Sequence, residues 1–180
     1  LINKTNQFNL TTKRITEEEV IDIANKENWI CLTGKLNDKF GENGIVSIVA
    51  GEIIENILHI RLMLLSCRVF KRGLEYLMMN TLFDICKKQN IHEVRGYYYR
   101  TEKNRIVKNF YKELDFTQIK DNDEESIWKI KVERYEPKEV LIPNIVDALY
   151  PPIPFVIIHS FVIPSFNDKS FVFIFICVLL

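Results

Sequence analysis

The sequence predicts an α/β protein built on one mixed, twisted sheet flanked by helices. Three observations carry this. Three apolar, strand-like runs follow one another between residues 29 and 65, separated by turn-forming residues. A long helical pattern then connects the third run to a fourth, at 93 to 99. Tight turns reverse a chain, whereas a helical crossover returns it parallel to the strand it left, so the sheet has mixed direction.

Residues 1 to 14 are polar and rich in Asn and Thr, side chains that compete for backbone hydrogen bonds and favour an irregular segment. Thr16 followed by Glu19 has the spacing of a capping box, and Glu17, Glu18 and Glu19 place acids in a first helical turn. A short amphipathic helix is predicted over 16–26. Trp29 to Leu36 reads as a strand, residues 38–44 as a turn containing Gly41 and the Asn43-Gly44 pair, and Ile45 to Ala50 as the returning strand. Glu55-Asn56 turns the chain into a third strand, Ile57 to Leu65, whose continuous run Leu62 to Leu65 signals burial on both faces. Leu74, Leu77, Met78, Leu82, Ile85 and Cys86 recur at helical spacing and predict a helix to about Asn90. Glu93 to Tyr99 is the next strand and Lys103 to Leu114 a further helix. Two short strands close the domain, near 117–119 and 127–132. The third strand and the post-helix strand are predicted to run parallel and to splay near Leu65 and Tyr97, which leaves backbone groups there without a strand partner.

The tail differs in character. Pro151-Pro-Ile-Pro-Phe155 is stiff and extended, and half of the 12 Phe residues lie beyond it or at its end. Its two apolar runs, 155–163 and 171–180, are each too short to span a bilayer. The expected organisation is residues 1–15 as a linker remnant, 16–148 as the domain, and 149–180 as an apolar tail outside the core.

Composition narrows the function classes. Lys plus Arg, 24, equals Asp plus Glu, 24. A chain of zero net charge has no general electrostatic pull toward nucleic acid. Cys31, Cys67, Cys86 and Cys177 form no CxxC pair, and no metal-ligand cluster is recognisable. With no basic and apolar leader at the N-terminus, free thiols in a reducing, cytoplasmic compartment are expected.

The chemistry concentrates in two places. Lys71-Arg72-Gly73 stands at the start of the long helix, where free N–H groups, a dipole and added cations suit a phosphate or pyrophosphate. A plain turn before a helix gives the same pattern. Asn104 stands near the next helix start and Phe110-Tyr111 late in it; a Tyr hydroxyl beside a thioester can act as a general acid, and a core aromatic looks the same in sequence.

Together these blocks resemble the GNAT family of acyl-CoA N-acyltransferases, with Phe70-Lys-Arg-Gly-Leu-Glu75 in the place of the pyrophosphate loop. Phe70, Glu75 and Asp115 depart from that family's pattern. Leu1-Ile-Asn-Lys-Thr-Asn-Gln-Phe-Asn-Leu-Thr-Thr12, Asp38-Lys-Phe-Gly41 with Gly44, Ser66-Cys-Arg-Val69 with Arg72-Gly-Leu-Glu75, and Thr101-Glu-Lys-Asn104 with Phe110-Tyr111 resemble the C-terminal GNAT-like domain of FkbH-like proteins. The likeness covers roughly residues 1 to 145. It implies an accompanying HAD-type (subfamily IIIC) phosphatase-like half, absent from this chain. It also implies transfer of a glyceryl or similar acyl unit to the phosphopantetheine thiol of an acyl carrier protein, in polyketide-type biosynthesis.

On this reading the cofactor is CoA or a carrier-bound phosphopantetheine, held by Arg68, Lys71, Arg72, Gly73 and Asn104, with no metal. Cys67 is the acyl-carrying nucleophile, its thiolate favoured by Arg68, Lys71 and Arg72; a buried, inert cysteine is the plain alternative. Tyr111 is the second catalytic candidate. His59 and His92 are bases by type, and both are read as structural. Two other readings stay open: a non-catalytic GNAT-like module that docks a carrier, and an ordinary acetyl-CoA-dependent N-acetyltransferase.

Overall fold

The computed structural model describes residues 7–38, 41–67, 69–70, 73–140, 146–147, 161–165 and 168–178. The predicted helix forms as α1 (Glu17–Ala24). Its capping box closes as spaced: the Thr16 N–H donates to Glu19 Oε2 at 2.7 Å and the Glu19 N–H to Thr16 Oγ1 at 3.2 Å. The meander follows as β2 (Trp29–Asp38), β3 (Gly41–Ile54) and β4 (Ile57–Leu65), all antiparallel, after a two-residue strand β1 (Phe8–Asn9). The stretch expected as a turn over 38–44 is in part strand, since β2 runs to Asp38. Strand β3 already begins at Gly41, and Gly44 is a left-handed residue inside it (φ 64°).

Helix α2 (Leu74–Lys88) carries the chain to β5 (Glu93–Tyr99), which pairs with β4 in parallel. The helix predicted over 103–114 is broken in two. A 3₁₀ turn (Arg105–Val107) precedes a single α turn, α3 (Phe110–Glu113), with Asn109 at the junction, where its helix-interior propensity is poor. Strands β6 (Thr117–Asp121) and β7 (Glu125–Lys131) follow. Their connection is tied by Asn122 Oδ1, which accepts from the N–H groups of Glu124 and Glu125 at 3.0 and 2.8 Å.

The sheet order is β6-β7-β5-β4-β3-β2, extended by β10 (Asp168–Val178), β9 (Phe161–Ser165) and β8 (Val146–Asp147). The tail was expected to stand apart, but the backbone of Phe171–Val178 pairs antiparallel with β2. Its alternation of Phe, Val and Ile has high β propensity, and β2 offers it a free edge.

One face of the sheet packs on α2. Leu58, Ile60, Met63 and Leu65 from β4 meet Met78, Met79, Leu82 and Phe83 in the main core. The change of parity between Ile60 and Met63 comes from a bulge: Ala50 opposes Leu62 and Gly51 opposes Ile60, which leaves Arg61 as the extra residue. Leu62 to Leu65 is apolar without interruption because both faces of the strand are covered there, Met63 and Leu65 by the main core. Leu62 and Leu64 face a second, smaller cluster with Ile15, Trp29 and Ile48.

The domain begins earlier than the expected boundary at residue 16. Phe8, Asn9, Leu10 and Thr11 are all buried, and Phe8 and Leu10 belong to the main core. Phe8 meets Phe70 and Phe110 edge-on, each with ring centroids 5.3 Å apart.

Candidate functional site

Strands β4 and β5 pair in parallel only from Ile57–Glu93 to Ile60–Gly96. Beyond Gly96 they part, at Tyr97 as expected on β5 but already after Ile60 on β4, earlier than the expected Leu65. The parting starts at the Arg61 bulge on one side and at Tyr97 on the other. It opens toward the loop before α2.

The outer part of this parting holds the chain's own segment 8–10. Phe8 and Asn9 pair antiparallel with Leu65 and Leu64 of β4. The Leu10 N–H donates to the Met63 carbonyl at 3.1 Å, and the Tyr99 N–H of β5 donates to the Leu10 carbonyl at 2.8 Å. The sequence gives little warning of this, because two apolar residues in a polar Asn/Thr stretch make no strand pattern.

Asn104 secures the segment. It is fully buried. Its Nδ2 donates to the carbonyls of Asn9 and Tyr99, both at 2.9 Å. Its Oδ1 accepts from the Thr101 N–H at 2.9 Å and from the Tyr98 hydroxyl at 3.2 Å. Asn104, expected at a cofactor, is thus committed to internal bonds and does not line an open groove.

Tyr111 packs beneath the point where the strands part. Its ring lies so close over Gly96 that any Cβ there would collide with it, which is why this strand position is glycine. The hydroxyl is buried near the Tyr97 backbone without a well-formed hydrogen bond. Burial raises its pKa well above the ordinary tyrosine range, so the phenol stays protonated.

Gly73 precedes α2 in the left-handed conformation (φ 84°), which a glycine adopts without strain. A cavity of about 380 Å³ lies against this helix start, with Phe8, Phe70, Gly73, Tyr76, Val107 and Phe110 among its walls. Glu75 is buried in the same wall. Cys67 is exposed on the turn after β4. Arg68, Lys71 and Arg72, the cations expected to serve it, lie outside the described residues.

The opposite face of the parting carries a polar group that the sequence reading took as structural. His59 Nδ1 and the Tyr97 hydroxyl are 2.6 Å apart. Arg61 lies over the Tyr97 ring at 5.4 Å from its centroid and pairs with Glu52 at 2.9 Å. Burial, then Arg61 and Arg95, lower the His59 pKa, so its imidazole is neutral at pH 7. His92 is exposed at the start of β5.

A larger cleft, about 930 Å³, opens beside the broken helix and contains Arg100, Arg105, Lys108, Lys112 and Trp128. Arg100 is paired with Asp121 and Arg105 with Glu102. The Asp121-Asn122-Asp123 run stands at the exposed β6–β7 turn. Among the described residues no group of His, Cys, Asp and Glu could hold a metal, and no helix is long and apolar enough to cross a membrane.

The chain matches no family profile and no curated protein. Its fold is similar to solved structures. Ard1 from Thermoplasma volcanium is 18% identical, with 67% of this chain and 82% of that one covered and a TM-score of 0.51. A proposed acyl-CoA N-acyltransferase from Klebsiella pneumoniae is 11% identical, over 64% and 81%, with a TM-score of 0.51. The PaiA N-acetyltransferase from Thermoplasma acidophilum, in complex with coenzyme A, is 22% identical with a TM-score of 0.44; the match covers 49% of this chain and 54% of that one. The architecture is the GNAT (acyl-CoA N-acyltransferase) fold.

Proposed function

We propose that this domain transfers an acyl group from a pantetheine thioester seated in the parting of β4 and β5. The observation that carries the reading is the parallel pairing that stops at Ile60–Gly96, with a protonated, buried tyrosine at the point of divergence. An extended donor arm has amide groups of its own, and the strand edges beyond that point offer matching N–H and carbonyl groups. The Tyr97 backbone and the Tyr111 hydroxyl then lie beside the reacting thioester. When the acceptor thiol attacks and the acyl–sulfur bond of the donor breaks, the phenol gives its proton to the departing sulfur and is reprotonated by the proton the acceptor thiol gives up.

The acyl group is a glyceryl or similar unit and the acceptor is the phosphopantetheine thiol of an acyl carrier protein. The support is the FkbH-like pattern of Ser66-Cys-Arg-Val69 and Thr101-Glu-Lys-Asn104. Cys67 holds the acyl group as a thioester in transit and passes it to the carrier thiol, an exchange of one thioester for another. Its exposure meets the first requirement of that role. Arg68, Lys71, Arg72 and Gly73 bind the phosphate end of the CoA or carrier arm at the start of α2.

A second reading, a non-catalytic module that docks a carrier, is favoured by one observation: the outer parting is already filled by Phe8–Leu10.

The two are separated by incubating the full chain, alone and with its HAD-type partner half, with acyl-CoA or the glyceryl donor and a phosphopantetheinylated carrier. Intact mass of the carrier and of the chain is then followed. Acyl transfer uses a mass gain on the carrier that slows in Tyr111→Phe. A passive module gives carrier binding with no mass gain under any donor.

A further inference from the structure

We propose that the parting between β4 and β5 is a strand-receiving slot whose resident occupant is Phe8–Leu10, and that a pantetheine donor enters by displacing this segment. The proposal rests on the acyl-transfer reading above.

The occupancy is specific at each residue. Phe8 inserts between Phe70 and Phe110. The Asn9 carbonyl is read by Asn104. Leu10 bonds to both strand edges at once, through Met63 and Tyr99. These edge groups are the ones a donor arm would pair with, and each N–H serves one acceptor at a time. Segment and donor therefore exclude one another in the outer slot.

The segment is also poised to leave. Among the described residues of the segment only 8–10 make edge contacts, and Lys13 and Arg14 just beyond are exposed. Thr12, a β-branched residue, is held at φ 53°, a left-handed conformation costly for such a side chain. It is pinned there by its N–H donating to Asn9 Oδ1 at 2.9 Å. The Thr11 hydroxyl is buried with no hydrogen-bond partner. Withdrawal relieves both defects. It also removes Phe8 from the wall of the 380 Å³ cavity beside Gly73, joining that cavity to the slot.

Calorimetric titration of coenzyme A into the full chain and into Phe8→Ala tests this. An occupant that must leave lowers apparent affinity by the fraction of molecules in which the slot is open. The variant is expected to bind at least ~10-fold more tightly than the parent. In the parent, trypsin cleavage after Lys13 or Arg14 is expected to speed up as coenzyme A is added, since displacement frees that stretch. This arm decides alone if Phe8→Ala does not fold. Equal affinity with unchanged cleavage overturns the resident strand and leaves the acyl-CoA reading standing. No binding to either protein overturns both.

Discussion

The side-chain amide of Asn104 donates to the main-chain carbonyl of Asn9, 95 positions earlier in the chain, at 2.9 Å. This one bond links the segment in the parting to the loop after β5. Asn104→Ala removes the donors for two carbonyls and the acceptor for the Thr101 N–H. A loss of about 1–3 kcal/mol follows from leaving such groups unpaired. Urea denaturation of the full chain measures it, and an unchanged midpoint would mean that water takes over these bonds.

Gly96 and Tyr111 make a second pair. Gly96→Ala drives a methyl group into the Tyr111 ring and is expected to cost about 1–3 kcal/mol by overpacking. Tyr111→Phe behaves differently. The hydroxyl lacks a well-formed hydrogen bond, so stability stays within about 1 kcal/mol of the parent. Acyl transfer, by contrast, falls by about 10²-fold if the phenol is the acid. Thermal melts and turnover on the same two variants check the split.

His59 sets a pH dependence. Its pKa is lowered in the folded chain from the ordinary 6.5, by burial first and then by Arg61 and Arg95. The unfolded chain therefore takes up the proton first as pH falls. The stabilisation from a neutral His59 is full above about pH 6.5 and is lost as pH drops from there through the lowered folded value. Melting temperature between pH 7.5 and 5 should fall less steeply in His59→Gln than in the parent. Identical slopes would assign the acid sensitivity to other groups.

Much of the fold was legible because its signals are local. The capping box at Thr16 and Glu19, the period of α2 and the crossover to β5 all depend on near neighbours in sequence. What escaped depends on distant partners. Nothing near Phe8 and Leu10 reveals that Met63 and Tyr99 will bond the backbone between them, so a strand in the core reads as a polar linker. Asn104 is ambiguous for the same reason. An Asn at a helix start caps, binds or clamps according to what faces it, and here that is Asn9. Tyr111 and Gly73 were found as types in a pattern, but only the packing on Gly96 and the φ of 84° show how each is held.

The tail gives a further expectation. The residues that build the main core run from Phe8 to Tyr135, and the sequence pattern places 149–180 outside it. A chain ending at residue 148 loses the β10–β2 pairing, and water satisfies the exposed β2 edge. It should unfold cooperatively within about 4 °C of the full chain, the shift expected for less than about 1 kcal/mol. A drop beyond about 10 °C in a melt would show that the tail is part of the core.

The central claim is that the parting of β4 and β5 receives the thioester donor. Amide hydrogen exchange of the full chain, with and without saturating coenzyme A, tests it most directly. The account predicts changes at Met63–Leu65, Tyr97–Tyr99, the start of α2 at Gly73–Leu74, and Phe8–Leu10, where protection falls. Changes confined to the Arg100–Lys112 cleft, with both edges of the parting untouched, would contradict it.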